Sequence, residues 1–137
     1  MAAETFRLEI VTPYRLLVSE DVEEVTAPGT EGEFGVLVGH TPYLTALGVG
    51  ELMYRKGSEI RYLAMYRGFA EVRHEKVTIL AEEAVFPHEI DVRAAEAAKA
   101  EAEKALTALS HDAKEYLEAQ AKLERAVNQI QVASRRR

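Results

Sequence analysis

Residues 30–50, TEGEFGVLVGHTPYLTALGVG, constrain the fold of this chain more than any other stretch. Five of the eight glycines fall here, together with the step His40-Thr41-Pro42. Glycine permits φ > 0 and close backbone approach, so this density marks a tightly constrained path. Pro42 pushes Thr41 into the extended region. Apolar residues are interleaved at Phe34, Val36, Leu37, Val38, Tyr43, Leu44, Ala46, Leu47 and Val49, which a flexible linker would not carry. The pattern predicts a short strand around Val36, a forced corner from Gly39 to Pro42, and a second strand from Tyr43 to Leu47.

The flanking sequence reads as further strands. Phe6-Arg7-Leu8-Glu9-Ile10 alternates apolar and charged residues, the period-2 signal of a strand with one buried face. Pro13-Tyr14-Arg15 turns the chain, Leu16–Val18 returns, and Val22–Ala27 follows Glu20-Asp21. The acidic pair Glu23-Glu24 interrupts the alternation and predicts a bulge. Pro28-Gly29 predicts a turn. Beyond Gly50, Glu51–Arg55 and Ile60–Tyr66 flank the hairpin signal Lys56-Gly57-Ser58. Arg67-Gly68 predicts the next turn, and Phe69–Arg73 and Lys76–Ala81 flank His74-Glu75. Turn signals recurring every ~8–12 residues predict an all-β sandwich or barrel of eight to ten short strands, complete by Val85.

Pro87 ends this regime. Residues 88–137 contain neither glycine nor proline and are dominated by Ala, Glu, Lys, Leu, Arg and Gln, the strong helix formers. Ser110-His111-Asp112 interrupts them, and Asp112 followed by Glu115 reads as an N-cap with its capping-box partner. One helix is expected from Asp91 to Leu109 and a second from Ala113 to Ala133. Facing seams at helical spacing are Ala95, Ala98, Ala102, Ala105 and Leu109 on the first, and Tyr116, Gln120, Leu123, Val127 and Ile130 on the second. A buried methylene contributes about 0.8 kcal/mol, so an alanine seam lets helices approach closely without holding them firmly. This half of the chain is built to dock and undock.

Charge and chemistry narrow the function. The net charge of −6 argues against a nucleic-acid partner. Residues 1–87 carry 14 acidic and 8 basic groups, whereas residues 88–137 carry 9 of each, so the two parts present different surfaces. The chain has no cysteine, which removes disulfide and thiol chemistry and points to a cytosolic face. The N-terminal MAAETFRLEI lacks the pattern of a signal peptide, and no run approaches the roughly 18 apolar residues of a membrane span. His40, His74, His88 and His111 are too scattered for a metal-ligand motif. No nucleophile elbow or phosphate loop is present, and the acidic Glu31-Gly32-Glu33-Phe34-Gly35 would repel phosphate. A catalytic pair assembled from distant residues is the one enzymatic arrangement left open. On the residues alone, His40 bonds backbone at a turn, Glu31 and Glu33 are solvated loop acids, and the basic C-terminus complements a helix dipole.

The stretch GEFGVLVGHTPYLTAL, with Gly32, Gly35, Gly39, His40, Pro42 and Thr45, resembles the signature of the epsilon subunits of F-type ATP synthases. The order of a strand-rich part and then a helical hairpin fits that family over the whole chain. The resemblance implies a β-sandwich at residues 1–87, binding the gamma subunit and the c-subunit ring, and a regulatory two-helix hairpin at 88–137. It implies a non-catalytic rotor part, with no metal and no cofactor, that couples c-ring rotation to the catalytic head. Its place would be peripheral, on the cytoplasmic face of the inner (plasma) membrane, without insertion into the bilayer. Glu31, Gly32 and Glu33 would meet arginine-bearing polar loops of the ring through charge-assisted hydrogen bonds. Gly39, His40, Thr41 and Pro42 would lie at the gamma contact. Lys122, Arg125, Arg135, Arg136 and Arg137 would reach an acidic segment of the catalytic beta subunit when the hairpin extends, and so inhibit ATP hydrolysis.

Some members of that family bind ATP in the folded hairpin. Here the corresponding residues are Ile90, Asp91 and Arg93 on the first helix and Arg125 on the second, with one residue too few between Asp91 and Arg93 and Gln129 where a further arginine is expected. One missing helical position rotates Arg93 by about 100° relative to Asp91, so this site is expected to be weak or absent. The contrasting class is a free-standing nucleotide-sensing or small binding module.

Overall fold

The computed structural model describes residues 4–135. The chain divides into two compact units after Val85. The first unit is a single seven-stranded sheet: β1 (Phe6–Val11), β2 (Leu16–Val22), β3 (Glu24–Gly29), β4 (Gly32–Leu37), β5 (Tyr43–Lys56), β6 (Glu59–Val72) and β7 (Lys76–Val85). The spatial order is β2-β1-β7-β6-β5-β3-β4. Neighbours pair antiparallel except β1 and β7, which run parallel.

The sheet closes on itself as a sandwich, and the connection between β2 and β3 shows why. These strands lie at or near opposite edges of the order, yet only Glu23 separates them. One residue spans at most about 7 Å between its neighbours, so the two edges must meet there. Side chains fasten that junction. Tyr54 Oη on β5 donates to Glu20 on β2 at 3.2 Å, and Arg55 pairs with Glu23 at 2.7 Å and with Glu24 at 3.3 Å. The enclosed core is built from the alternating faces of the strands, including Leu8 and Ile10 of β1, Val25 of β3, Leu52 of β5, Leu63 of β6 and Ile79 of β7.

The strand count differs from the expected eight to ten because β5 and β6 are each 14 residues long. Both run straight through positions read as breaks between strands, the gap between Leu47 and Glu51 and the turn at Arg67-Gly68. The local signal was real, since Arg67 has φ 51°. Pairing skips Gly48, Arg67 and Glu82 on β5, β6 and β7, and these three positions fall on one line across the sheet. On either side of that line the buried positions change parity from Leu47 to Leu52 and from Ala81 to Ala84, while on β6 Leu63, Ala64 and Met65 are all buried on one side and Ala70 and Val72 on the other. The register is the same on both sides of the line, so unpaired residues facing one another in three neighbouring strands let the strands bend together. Each long strand thus serves both layers.

Smaller differences have local causes. Glu23-Glu24 is no bulge, since Glu23 is the one-residue link. The β3–β4 turn falls at Thr30-Glu31 rather than Pro28-Gly29, because Pro28 and Gly29 still pair with Glu33 and Gly32.

In the second unit a short 3-10 turn at Pro87–Glu89 precedes α1 (Val92–Ala108) and α2 (Lys114–Ala133), which packs against α1. Asp91 caps α1, its Oδ1 accepting the Ala94 N–H at 3.0 Å. The expected cap of α2 is displaced. Ala113 holds that position without a side-chain bond, while Asp112 accepts from Ser110 Oγ at 2.5 Å, which lowers the Asp112 pKa. The α1 seam is as expected, with Ala95 and Ala102 buried. On α2 the buried alanines are Ala119, Ala126 and Ala133, and Gln120 is exposed. Tyr116, Leu123 and Ile130 stay half-buried between these alanines, so the stripe steps through Ala119 and Ala126 in place of Gln120 and Val127. Bulk misled the choice between positions a single residue apart.

Candidate functional site

Two exposed features stand at opposite ends of β4. Five residue steps of a strand span roughly 17 Å, so no single small ligand reaches both. At the first end is the β3–β4 turn, where Glu31, Gly32 and Glu33 are all exposed. Gly32 has φ 131°, a conformation few other residues adopt, so the turn has a set shape. The Thr30 N–H donates to the Ala46 carbonyl at 3.2 Å, tying the turn to β5. The two carboxylates are thereby held out from the sheet on a short, anchored hairpin tip.

At the other end is the corner, residues 38–42. Gly39 turns it with φ 85°, and Gly39, Thr41 and Pro42 are exposed. His40 does what its position beside a proline suggests and bonds backbone, with Nδ1 2.8 Å from the Leu37 carbonyl and Nε2 against the Arg73 carbonyl. Its ring meets Phe6 edge-on at 5.3 Å. The corner is therefore a braced loop.

Around the corner is a surface that sequence reasoning missed. Leu37 and Leu44 are 57% and 69% exposed, and Val38 and Tyr43 are also open. The signal was available in Val36-Leu37-Val38 and Tyr43-Leu44, since adjacent apolar residues on a strand point to opposite faces and only one can face the core. Tyr43 is partly covered, by Phe34 with ring centroids 5.7 Å apart, and burial raises its phenol pKa. Phe69 and Leu80, paired across β6 and β7, are exposed as well and line an open hollow of about 640 Å³ with Val11, Leu47 and Arg67.

The nucleotide candidates are placed differently from what helical geometry suggested. Asp91 is the cap of α1 and has extended backbone, φ −83° and ψ 98°, so a rotation counted around the helix does not apply to it. Its carboxylate already serves the Ala94 amide. Ile90 is buried, Arg93 is exposed, and Arg125 sits half-buried on α2. Of the basic tail, Lys122 and Arg135 are exposed, and Arg136 and Arg137 lie outside the described residues. Among the described residues no group of three His, Asp or Glu side chains stands close enough to hold a metal, and no helix is long and apolar enough to cross a membrane.

Two family descriptions match the two halves. The ATP synthase delta/epsilon chain β-sandwich domain matches residues 5–87, and the long α-helix domain of the same chain matches residues 88–134. The chain is 47% identical to the ATP synthase epsilon chain of Geobacter metallireducens, over 97% of its own length and 96% of the relative's. It is 49% identical, with the same coverage, to ATP synthase epsilon chain 2 of Syntrophotalea carbinolica. Among solved structures, a chain of the Euglena gracilis mitochondrial ATP synthase OSCP/F1/c-ring assembly superposes with a TM-score of 0.74 at 27% identity, covering 95% of this chain and 81% of that one. The chain belongs to the family of ATP synthase epsilon chains, non-catalytic subunits of the central stalk.

Proposed function

We propose that this subunit joins the rotating shaft of the synthase to its membrane ring through the two ends of β4, and that its helical unit acts as a brake on ATP hydrolysis. The observation that carries the first half is the separation of two unlike surfaces on one rigid strand. The β3–β4 tip offers carboxylates, suited to arginine-bearing polar loops of the c-subunit ring. The corner with Leu37, Val38, Tyr43 and Leu44 offers an apolar surface rimmed by polar groups, suited to a protein partner, here the gamma subunit. A sandwich closed through β5 and β6 transmits torque between these ends without unfolding either. The assembly would sit peripherally, on the cytoplasmic face of the inner membrane.

The brake rests on how weakly the helical unit is held. Both packed stripes are built on alanine, and each alanine methyl contributes about 0.8 kcal/mol when buried. Two arrangements of such a unit differ by little, so a partner with unequal affinity for them shifts the population. In the extended arrangement Lys122, Arg125, Arg135, Arg136 and Arg137 would face an acidic segment of the catalytic beta subunit. The brake does not call on a nucleotide at Ile90, Asp91, Arg93 and Arg125, where one Asp91 oxygen already accepts the Ala94 N–H of the helix cap.

The test is a chain cut after Pro87, co-expressed with the rest of the complex. It should assemble with gamma and the ring, keep proton pumping coupled, and raise ATP hydrolysis. A truncated chain that is folded yet fails to assemble would refute the division of labour, and unchanged hydrolysis in an assembled complex would refute the brake.

A further inference from the structure

The β3–β4 hairpin that carries the acidic tip does not pair with β5 along its whole length. Thr26 pairs with Met53 and Gly29 with Leu47, and the register shifts between them, so Ala27 and Pro28 stand opposite residues 48–52. In that gap the ring of Pro28 lies against Gly50. A Cβ built on Gly50 would stand 2.6 Å from Pro28 Cβ and 3.1 Å from its Cγ. Backbone conformation does not call for glycine here, since among the described residues the left-handed glycines are Gly32, Gly39 and Gly57. Gly50 is needed for the room it leaves. Just beyond it the Thr30 N–H donates to the Ala46 carbonyl at 3.2 Å. The turn is itself closed tightly, since a Cβ on Gly29 would stand 2.7 Å from the Gly32 carbonyl oxygen and 3.1 Å from the Phe34 ring. It therefore moves as one piece with Pro28. We propose that Pro28 seated on Gly50 is the positioning pair that aims the carboxylates of Glu31 and Glu33 at the partner they meet.

The seat is exacting because neither side can yield. Carbon atoms in contact sit about 3.5–4.0 Å apart, so a methyl on Gly50 opens the pair by about an ångström. Pro28 Cβ belongs to a ring closed onto the backbone and has no rotamer to escape into, so β3 itself shifts. An N–H···O bond spans about 2.7–3.2 Å, and the Thr30–Ala46 bond already stands at the long end of that range, so the shift breaks it. The hairpin stays folded, because Pro28 and Gly29 keep their pairs with Glu33 and Gly32 on β4. What it loses is its fixed direction. Charge-assisted hydrogen bonds depend on alignment, so misdirected carboxylates lose their partner while the fold persists. Gly48 lies in the same gap and has nothing within 4 Å of an added Cβ, which makes it the control. The functional consequence rests on the tip being the ring contact; the seat does not.

Two readouts keep the seat and the ring reading apart. In the isolated full chain, Gly50→Ala should speed hydrogen exchange at the Thr30 amide about tenfold, the scale of one hydrogen bond, and Gly48→Ala should leave it unchanged. In the assembled synthase, a Glu31→Cys thiol should capture a c subunit several-fold less once Gly50→Ala is added, while a Thr41→Cys thiol at the corner captures gamma as before. Pro28→Gly removes the ring and should free the Thr30 amide as well. Adding Gly50→Ala to Pro28→Gly should slow that exchange again, because the new methyl fills the room the ring gave up; contacting pairs couple in this way. The proposal is overturned if Thr30 exchange is unchanged in a folded Gly50→Ala chain, if Gly48→Ala speeds it equally, if the double variant exchanges no more slowly than Pro28→Gly, or if capture at the tip is undiminished. Should Gly50→Ala fail to fold, Pro28→Gly with and without it decides. A Glu31→Cys thiol that captures no c subunit in the otherwise unaltered chain refutes the ring reading, and Thr30 exchange then decides the seat alone.

Discussion

Replacing Gly68 with alanine tests the bent sheet where it is tightest. A Cβ built there would stand 1.9 Å from the Leu80 carbonyl oxygen and 2.9 Å from Ala81 Cα on β7. Close carbon–oxygen contacts between strands lie at about 3.3 Å, so β6 and β7 must separate by more than an ångström. Strands pair at about 4.8 Å, and such an opening disrupts the hydrogen bonds around the Gly68–Ala81 pair. Overpacking costs about 1–3 kcal/mol, and a buried backbone group left unpaired costs about 1–3 more. We expect a loss of roughly 3–5 kcal/mol from a domain whose total stability is of order 5–15 kcal/mol. Gly48, on the bend line one position away, is the control. Nothing lies within 4 Å of its added Cβ and its φ is not left-handed, so Gly48→Ala should change stability by no more than about 1 kcal/mol. Urea unfolding of the sandwich should place the Gly68→Ala midpoint about 2 M below wild type, taking about 2 kcal/mol/M for the slope. A loss under about 1 kcal/mol, or equal losses in the two variants, would refute the close β6–β7 approach on which the bend depends.

Two further outcomes follow. Arg55 holds the Glu23 carboxyl below the usual range, chiefly by its own hydrogen bond and then with help from the Gly57 amide. A depressed carboxyl stabilises the fold above its unfolded value of about 4.3 and loses that contribution as pH falls through the folded value. Arg55→Met should therefore be less stable than wild type at neutral pH, with the gap closing in urea midpoints taken toward ~pH 3; a gap that stays constant with pH would contradict the pairing. Asp91→Ala removes the α1 cap and should cost about 1 kcal/mol, read as earlier loss of the helical circular-dichroism signal while the sheet transition is unmoved.

The sequence carried the architecture because its periodicities are strong. Glycine-punctuated alternation up to Val85 and glycine-free helix formers after Pro87 left little choice, and the helix ends were within a residue or two of those observed. What failed was the use of turn signals as strand ends. A bend shared by three neighbouring strands puts the same backbone irregularity at Arg67 as a turn does, and only the continued pairing of Phe69 with Ala46 and Leu80 tells them apart. The α2 stripe failed for a related reason, since alanine and a larger neighbour one position away fit the same period. For the site, the exposed acidic tip and the braced corner were legible from Gly32, Gly39 and Pro42, whose conformational demands are local. The exposed apolar rim was not, because which of two adjacent apolar residues faces outward depends on strands distant in sequence. Family membership in turn sets aside a free-standing binding module as the account of the chain.

The most direct test of the two-ended rotor uses the absence of cysteine from this chain. Glu31→Cys at the tip and Thr41→Cys at the corner each supply a single thiol for cross-linking within the assembled synthase. The account predicts that the tip thiol captures a c subunit and the corner thiol captures gamma. Capture of the same partner from both positions, or of neither in a complex that contains the subunit, would contradict it.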